Sequence, residues 1–210
     1  MAPVGRRWRA AGAPGPAGAN CSLPRRATSG QLQQLGGWLS AWPAATAAAL
    51  LALGFPAWMA LAPVLAGRIA DGLDGALARA TVKTDFGGFL DITCDFLFYS
   101  AIPLAFVIRD PDLNGLAGAF LLTSFYVNGA TFLGYAVLAE KRGLETAARG
   151  EKSLYFSAGL LEGTETIAFF SALCVWPQAF APLAWGFGTL CFVTAVSRVL
   201  LARRVFSREV

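Results

Sequence analysis

The sequence predicts an all-α membrane protein with six transmembrane helices and both termini in the cytoplasm. Three observations predict it. Of the 210 residues, 56% are hydrophobic and only 14% are charged, whereas soluble domains carry about 25% charged residues. From about residue 34 onward the chain is a succession of apolar stretches, each close to the roughly 20 residues that a spanning helix needs. Lys and Arg gather in alternate connections between those stretches, as the positive-inside rule requires of cytoplasmic loops. The same composition excludes a disordered chain and a nucleic-acid binder, because the net charge of +4 is explained by topology. The absence of His leaves carboxylates to do any acid–base or metal chemistry. Cys21, Cys94, Cys174 and Cys191 show no C-x-x-C spacing, so neither a thiolate zinc site nor a disulfide framework is expected.

Residues 1–30 read as a flexible basic arm and residues 31–210 as the transmembrane domain. The arm carries Arg6, Arg7, Arg9, Arg25 and Arg26 and no acidic residue, which suits it to anionic headgroups. A secretory signal is not expected there, since Ala11-Gly12-Ala13-Pro14-Gly15-Pro16 interrupts any apolar run. The helices are expected at 34–53, 56–79, 86–108, 115–139, 154–175 and 180–202. Gly54-Phe55-Pro56 breaks the first from the second, because Gly and Pro are the strongest local breakers. The run Asp110–Asn114, the charged segment from Glu140 to Lys152, and Trp176-Pro177-Gln178 separate the later ones. Pro43 and Pro103 fall inside helices, which a bundle in a bilayer tolerates. With the N-terminus inside, 13 of the 17 Lys and Arg residues fall in cytoplasmic segments and only Arg109 in an outer one.

The most specific feature is Asp71-Gly72-Leu73-Asp74-Gly75-Ala76-Leu77-Ala78-Arg79, followed after a short spacer by Gly87-Gly88-Phe89-Leu90-Asp91-Ile92-Thr93-Cys94-Asp95. Spacings of three and four put each aspartate pair on one helix face. Gly75, Ala78 and Arg79 share the face of Asp71 and Asp74, and Gly87 lies on the side of Asp91 and Asp95. Small residues there allow close approach of a ligand or a helix. Four converging carboxylates repel one another unless a cation lies between them. Hard oxygen donors favour Mg²⁺, Mn²⁺ or Ca²⁺, and two such ions clamp a phosphoryl centre well. Arg79 is suited to a phosphate oxygen. The competing reading is a set of helix-end charges in water, which would leave the Gly and Ala spacing accidental.

This pattern resembles the signature of the CDP-alcohol phosphatidyltransferase family, D-x-x-D-G-x-x-A-R, a spacer, then G-x-x-x-D-x-x-x-D. Every fixed position is present, and the spacer from Arg79 to Gly87 is one residue shorter than the common family form. The six-span layout extends the resemblance over roughly residues 30–205, and the string from Lys152 to Ile167 looks like a bacterial inner-membrane branch of the family; the orientation deduced from the charges puts the active site on the cytoplasmic side. The resemblance implies transfer of a phosphatidyl group from a CDP-linked lipid such as CDP-diacylglycerol to an acceptor alcohol, with release of CMP, in phospholipid biosynthesis. It implies two Mg²⁺ or Mn²⁺ ions held by Asp71, Asp74 and Asp91 with Asp95, and Asp95 as the general base. Gly75, Ala78, Arg79 and Gly87 then contact the CDP moiety, and the enzyme is a homodimer.

A possible acceptor site comprises Arg68, Glu162, Glu165 and Arg198. Glu162 and Glu165 interrupt an apolar run and either receive an amine or polyol or pair with Arg198 or Arg68. The glutamates are unlike a phosphate pocket, which favours a neutral or cationic acceptor. Ser124, Asn128 and Thr131 have the spacing of interhelical hydrogen-bonding groups. Two other function classes compete: a small cation transporter using its intramembrane acids, and a catalytically silent scaffold. Clustering of the acids at one level of the bundle argues against the first, and retention of all four aspartates and Arg79 against the second.

Overall fold

A computed structural model describes residues 29–80, 85–143 and 163–207 of the chain, with side chains for 41–73, 85–143 and 163–207. The described residues form helices and their connections, with no strand. In chain order they are α1 (Ser29–Ala52), a 3₁₀ turn Ala57–Ala60, α2 (Leu61–Ala80), α3 (Asp85–Arg109), α4 (Pro111–Lys141), α5 (Gly163–Val175), a 3₁₀ turn Pro177–Ala179, and α6 (Phe180–Phe206). The expected arm and the part of the fifth helix before Gly163 lie outside the described residues.

The breaks fall where the sequence places them. At the end of α1, Gly54 takes φ +80°; its N–H donates to the Leu51 carbonyl, and that of Phe55 to the Leu50 carbonyl. Those two bonds close a Schellman motif, which needs a residue tolerant of the left-handed region. Gly143 ends α4 with φ +64°. The fourth helix departs from expectation, beginning at Pro111 rather than 115, with Asp110 alone separating it from α3. The cause is local. Asp110 Oδ1 accepts from the Leu113 N–H at 3.0 Å, and Pro111 occupies the first turn, where no N–H is required. Asn114 folds back to donate to the Phe106 carbonyl at 2.9 Å, so the run expected as a loop is a sharp helical corner.

The core is built from α3 outward. Phe98, Ile102 and Phe106 recur every four residues and are fully buried, as one helix face requires. They meet Ala44, Ala47 and Leu51 of α1, Ala60 and Val64 beside and in α2, and Phe170, Leu173 and Cys174 of α5. Alanines on α1 let α2 and α3 approach closely. Phe106 stacks on Phe180 with ring centroids 4.9 Å apart, and Phe98 meets Phe170 edge-on at 5.2 Å. Helix α6 lies along α4, its Gly188 against the Phe120 ring. These two run the same way, since Gly118 adjoins Phe180 at one end and Tyr135 meets Phe206 at the other.

Three segments, Asp85–Arg109, Pro111–Lys141 and Pro177–Phe206, are long and apolar enough to cross a membrane. Their outward faces expose Leu104, Ile108, Leu116, Val137, Val193 and Val199. A helix apolar on its outer as well as its inner face belongs in lipid. Cys94, Cys174 and Cys191 are buried and form no disulfide among the described residues.

Candidate active site

The two halves of the aspartate motif lie on α2 and α3, and an arginine joins them. Arg68 stands one turn before Asp71 on α2. Its Nη1 donates to Asp95 Oδ1 on α3 at 2.6 Å and lies 3.6 Å from Asp71 Oδ2. The arginine side chain is only 9% exposed, against 29% for Asp71 and 31% for Asp95. Its guanidinium carbon sits 4.3 Å from the centre of the Phe98 ring, a cation–π contact that compensates for lost water. Its Nε is buried with no hydrogen-bond partner among the described residues. Asp91, one turn before Asp95, brings its carboxyl group within hydrogen-bonding reach of Asp71.

Asp95 lies ten residues into α3, ~15 Å along its axis at 1.5 Å per residue. The cluster is therefore set within the helices rather than at their tips. Tyr99 continues the stripe one turn beyond Asp95, where its hydroxyl lies 3.4 Å from the position a Cβ on Gly163 would take. The ring packs between Phe98 and Phe125.

Sequence reasoning did not single out Tyr99 or Phe98, although the spacing of Asp91, Asp95 and Tyr99 carries the signal. Arg68, one of the possible acceptor contacts, donates to Asp95 and lies beside Asp71. Arg198 is held by α4: its Nη1 donates to the Asn128 carbonyl and Oδ1, each at 3.0 Å, and to Thr131 Oγ1 at 3.1 Å. The Phe132 ring faces its guanidinium. Asn128 and Thr131 thus make interhelical bonds, as their spacing suggests. Among the described residues, neither Arg68 nor Arg198 pairs with Glu165, which is exposed and accepts from Thr164 Oγ1 at 3.0 Å. Gly87 lies in the first turn of α3. Asp74, Gly75, Ala78 and Arg79 belong to α2, but their side chains, like all of Glu162, lie outside the described set.

The described cluster sets three carboxylates against one guanidinium. Two adjacent carboxylates with a single positive partner need a proton or a cation, and their hard oxygens suit Mg²⁺ or Mn²⁺. The donor chemistry thus fits such ions, although no three Asp, Glu or Cys side chains among the described residues close into a metal-binding group.

Comparison with known proteins agrees with this chemistry. The CDP-alcohol phosphatidyltransferase family matches residues 39–202. The chain is 48% identical over 140 residues to "Inner membrane protein YnjF" of Escherichia coli (strain K12), covering 67% of this chain and 68% of that protein. No solved structure gives a significant match. The extent of the family match, with both halves of the motif inside it, makes this chain a member of the CDP-alcohol phosphatidyltransferase family.

Proposed function

We propose that the chain transfers a phosphatidyl group from CDP-diacylglycerol or a similar CDP-linked lipid to the hydroxyl of an acceptor alcohol, releasing CMP. The observation that carries this reading is the meeting of Arg68 and Asp71 on α2 with Asp91 and Asp95 on α3. A phosphoryl-transfer site needs such a concentration of negative oxygen donors at one point.

In this reading, Asp71, Asp74 and Asp91, with Asp95, would hold two Mg²⁺ or Mn²⁺ ions, which when bound would offset the negative charge of the diphosphate. Asp95 takes the proton of the acceptor hydroxyl. The acceptor oxygen forms a bond to the lipid-linked phosphorus, and the bond from that phosphorus to the bridging oxygen breaks. CMP leaves with the bonding electron pair. Arg79, Gly75, Ala78 and Gly87 hold the cytidine diphosphate. The positive charge of Arg68 is already shared by Asp95 and Asp71, which supports a neutral or cationic alcohol over an anionic one.

The protein is proposed to be a homodimer of six-span chains in the bacterial inner membrane, termini and active site on the cytoplasmic side. The name of the Escherichia coli relative supports the location. The common direction of α4 and α6 suits alternating spans. Exposed Trp58 and Trp176 lie at one end of the bundle and Arg142, Arg203 and Arg204 at the other, as interfacial aromatics and cytoplasmic cations do.

An acceptor screen tests this function. Purified protein in detergent with Mg²⁺ or Mn²⁺ and CDP-diacylglycerol is offered glycerol 3-phosphate, serine, inositol, ethanolamine and glycerol in turn. Mass spectrometry should find a new phosphodiester lipid and CMP in equal amounts with at least one alcohol, and neither after metal chelation. Chelation-resistant turnover would contradict the metal assignment.

A further inference from the structure

In the proposed function the motif holds the diphosphate end of a CDP-linked lipid, which leaves open what meets the rest of that molecule. Tyr99 continues the stripe of Asp91 and Asp95 one turn farther along α3, ~6 Å beyond Asp95 at 1.5 Å per residue. We propose that the Tyr99 hydroxyl donates a hydrogen bond to an ester carbonyl of the donor lipid, so that the site selects ester-linked over ether-linked lipid.

The hydroxyl is firmly placed. The half-buried ring packs against Phe98 and Phe125, with centroids 5.8 and 6.2 Å away, and a side chain with two rotatable bonds then has little choice of direction. The oxygen makes no hydrogen bond to a described residue, although a phenol withdrawn from water normally finds a partner. It lies beside the proposed chemistry, within electrostatic reach of Asp95, Arg68, Asp71 and Asp91. It also has room. Gly163, at the start of α5, is exposed and has no side chain, and the Cβ it lacks would stand 3.4 Å from the hydroxyl oxygen.

Direction decides which ligand the hydroxyl meets. In the proposed orientation α3 starts at the cytoplasmic side, so Tyr99 lies farther into the bilayer than the carboxylates. A lipid anchored at those carboxylates by its diphosphate sends its tails the same way, and its ester carbonyls are the first hydrogen-bond acceptors of its tails on that path. A water-soluble alcohol arrives from the opposite side. The other hydroxyl beyond Asp95 on α3 is that of Ser100, which already donates to the Leu97 carbonyl at 3.0 Å. Sites for apolar ligands are commonly built this way, with a few placed polar groups in an apolar wall.

This inference rests on the transferase reading, and binding measured without turnover keeps the two apart. CDP-dioleoylglycerol and its dialkyl ether analogue, which lacks both carbonyls, are titrated with Mn²⁺ and no alcohol into the full chain in detergent, followed by thermophoresis. Wild type should bind the ester roughly 2- to 10-fold more tightly, the range of one neutral hydrogen bond. Tyr99→Phe, which keeps the ring, should bind both lipids alike. Equal binding by the wild type overturns the inference with no variant needed, and so does an ester preference that survives Tyr99→Phe. In turnover, Tyr99→Phe should raise the KM of the ester donor and leave that of the accepting alcohol unchanged. A change confined to the alcohol's KM would put the hydroxyl in the acceptor's site and also overturn the inference. A wild type that prefers the ester but releases no CMP with any alcohol defeats the transferase reading, while the contact itself stands. One that binds and uses both lipids equally defeats the contact alone.

Discussion

At the scale of the residue, Asp71 and Asp91 are two of the side chains to which the proposed function assigns cation binding. Their carboxyl groups lie within reach of each other across the gap between α2 and α3, so removing either charge weakens the electrostatic demand for a divalent ion. Asp71→Asn and Asp91→Asn should each lower Mn²⁺ affinity by roughly 10- to 100-fold, read by electron paramagnetic resonance titration of the full chain in detergent. Tyr99→Phe removes a hydroxyl while keeping the ring against Phe98 and Phe125. Thermal stability should be nearly unchanged, and an altered turnover would show that the hydroxyl meets substrate. The faces carrying Asp71, Asp91 and Asp95 were legible, because residue spacing fixes which side chains share a face. The pairing of Arg68 with Asp95, 27 positions apart, was not. Periodicity assigns faces to a helix but does not say which faces of two helices meet. Arg198 illustrates the same limit: its partners on α4 became evident only from packing.

At the scale of the element, the contact of α4 with α6 depends on small residues. A Cβ on Gly188 would stand 2.7 Å from the Phe120 ring, and that ring has little room to retreat. It is held by Trp185 at 4.3 Å and Phe192 at 5.4 Å. Gly188→Ala should therefore destabilise the protein by about 1–3 kcal/mol, the cost of overpacking, less the helix-propensity gain of up to ~1 kcal/mol. A lowered thermal unfolding midpoint in detergent checks this; an equal or higher midpoint would show that α6 can shift at no cost. Helix breaks were legible wherever Gly or Pro forces them, as at Gly54 and Pro177. The start of α4 was misplaced because Asp110, Pro111 and Asn114 are all turn formers. An aspartate before a proline is equally good as a helix cap, and here the cap prevails.

At the scale of the whole molecule, composition sufficed to place the chain in a bilayer, and the bundle explains why so little polar surface is needed. Its core is aromatic and alanine-rich, and its outward faces are apolar. The proposed orientation predicts labelling by a membrane-impermeant maleimide in intact cells. A cysteine at Asp112 should be modified from outside, and one at Arg204 only after the membrane is opened. Buried Cys94, Cys174 and Cys191 should contribute little background. The reverse pattern would invert the topology and put the aspartates on the wrong side for a cytoplasmic nucleotide. The central claim is that Asp95 takes the proton of an alcohol attacking a CDP-linked lipid. Its most direct test is CMP release from CDP-diacylglycerol by wild type and Asp95→Asn, both shown to be folded, with Mn²⁺ and the accepting alcohol present. Alcohol-dependent CMP release by the wild type and none by Asp95→Asn is the predicted result, and undiminished release by Asp95→Asn would contradict it.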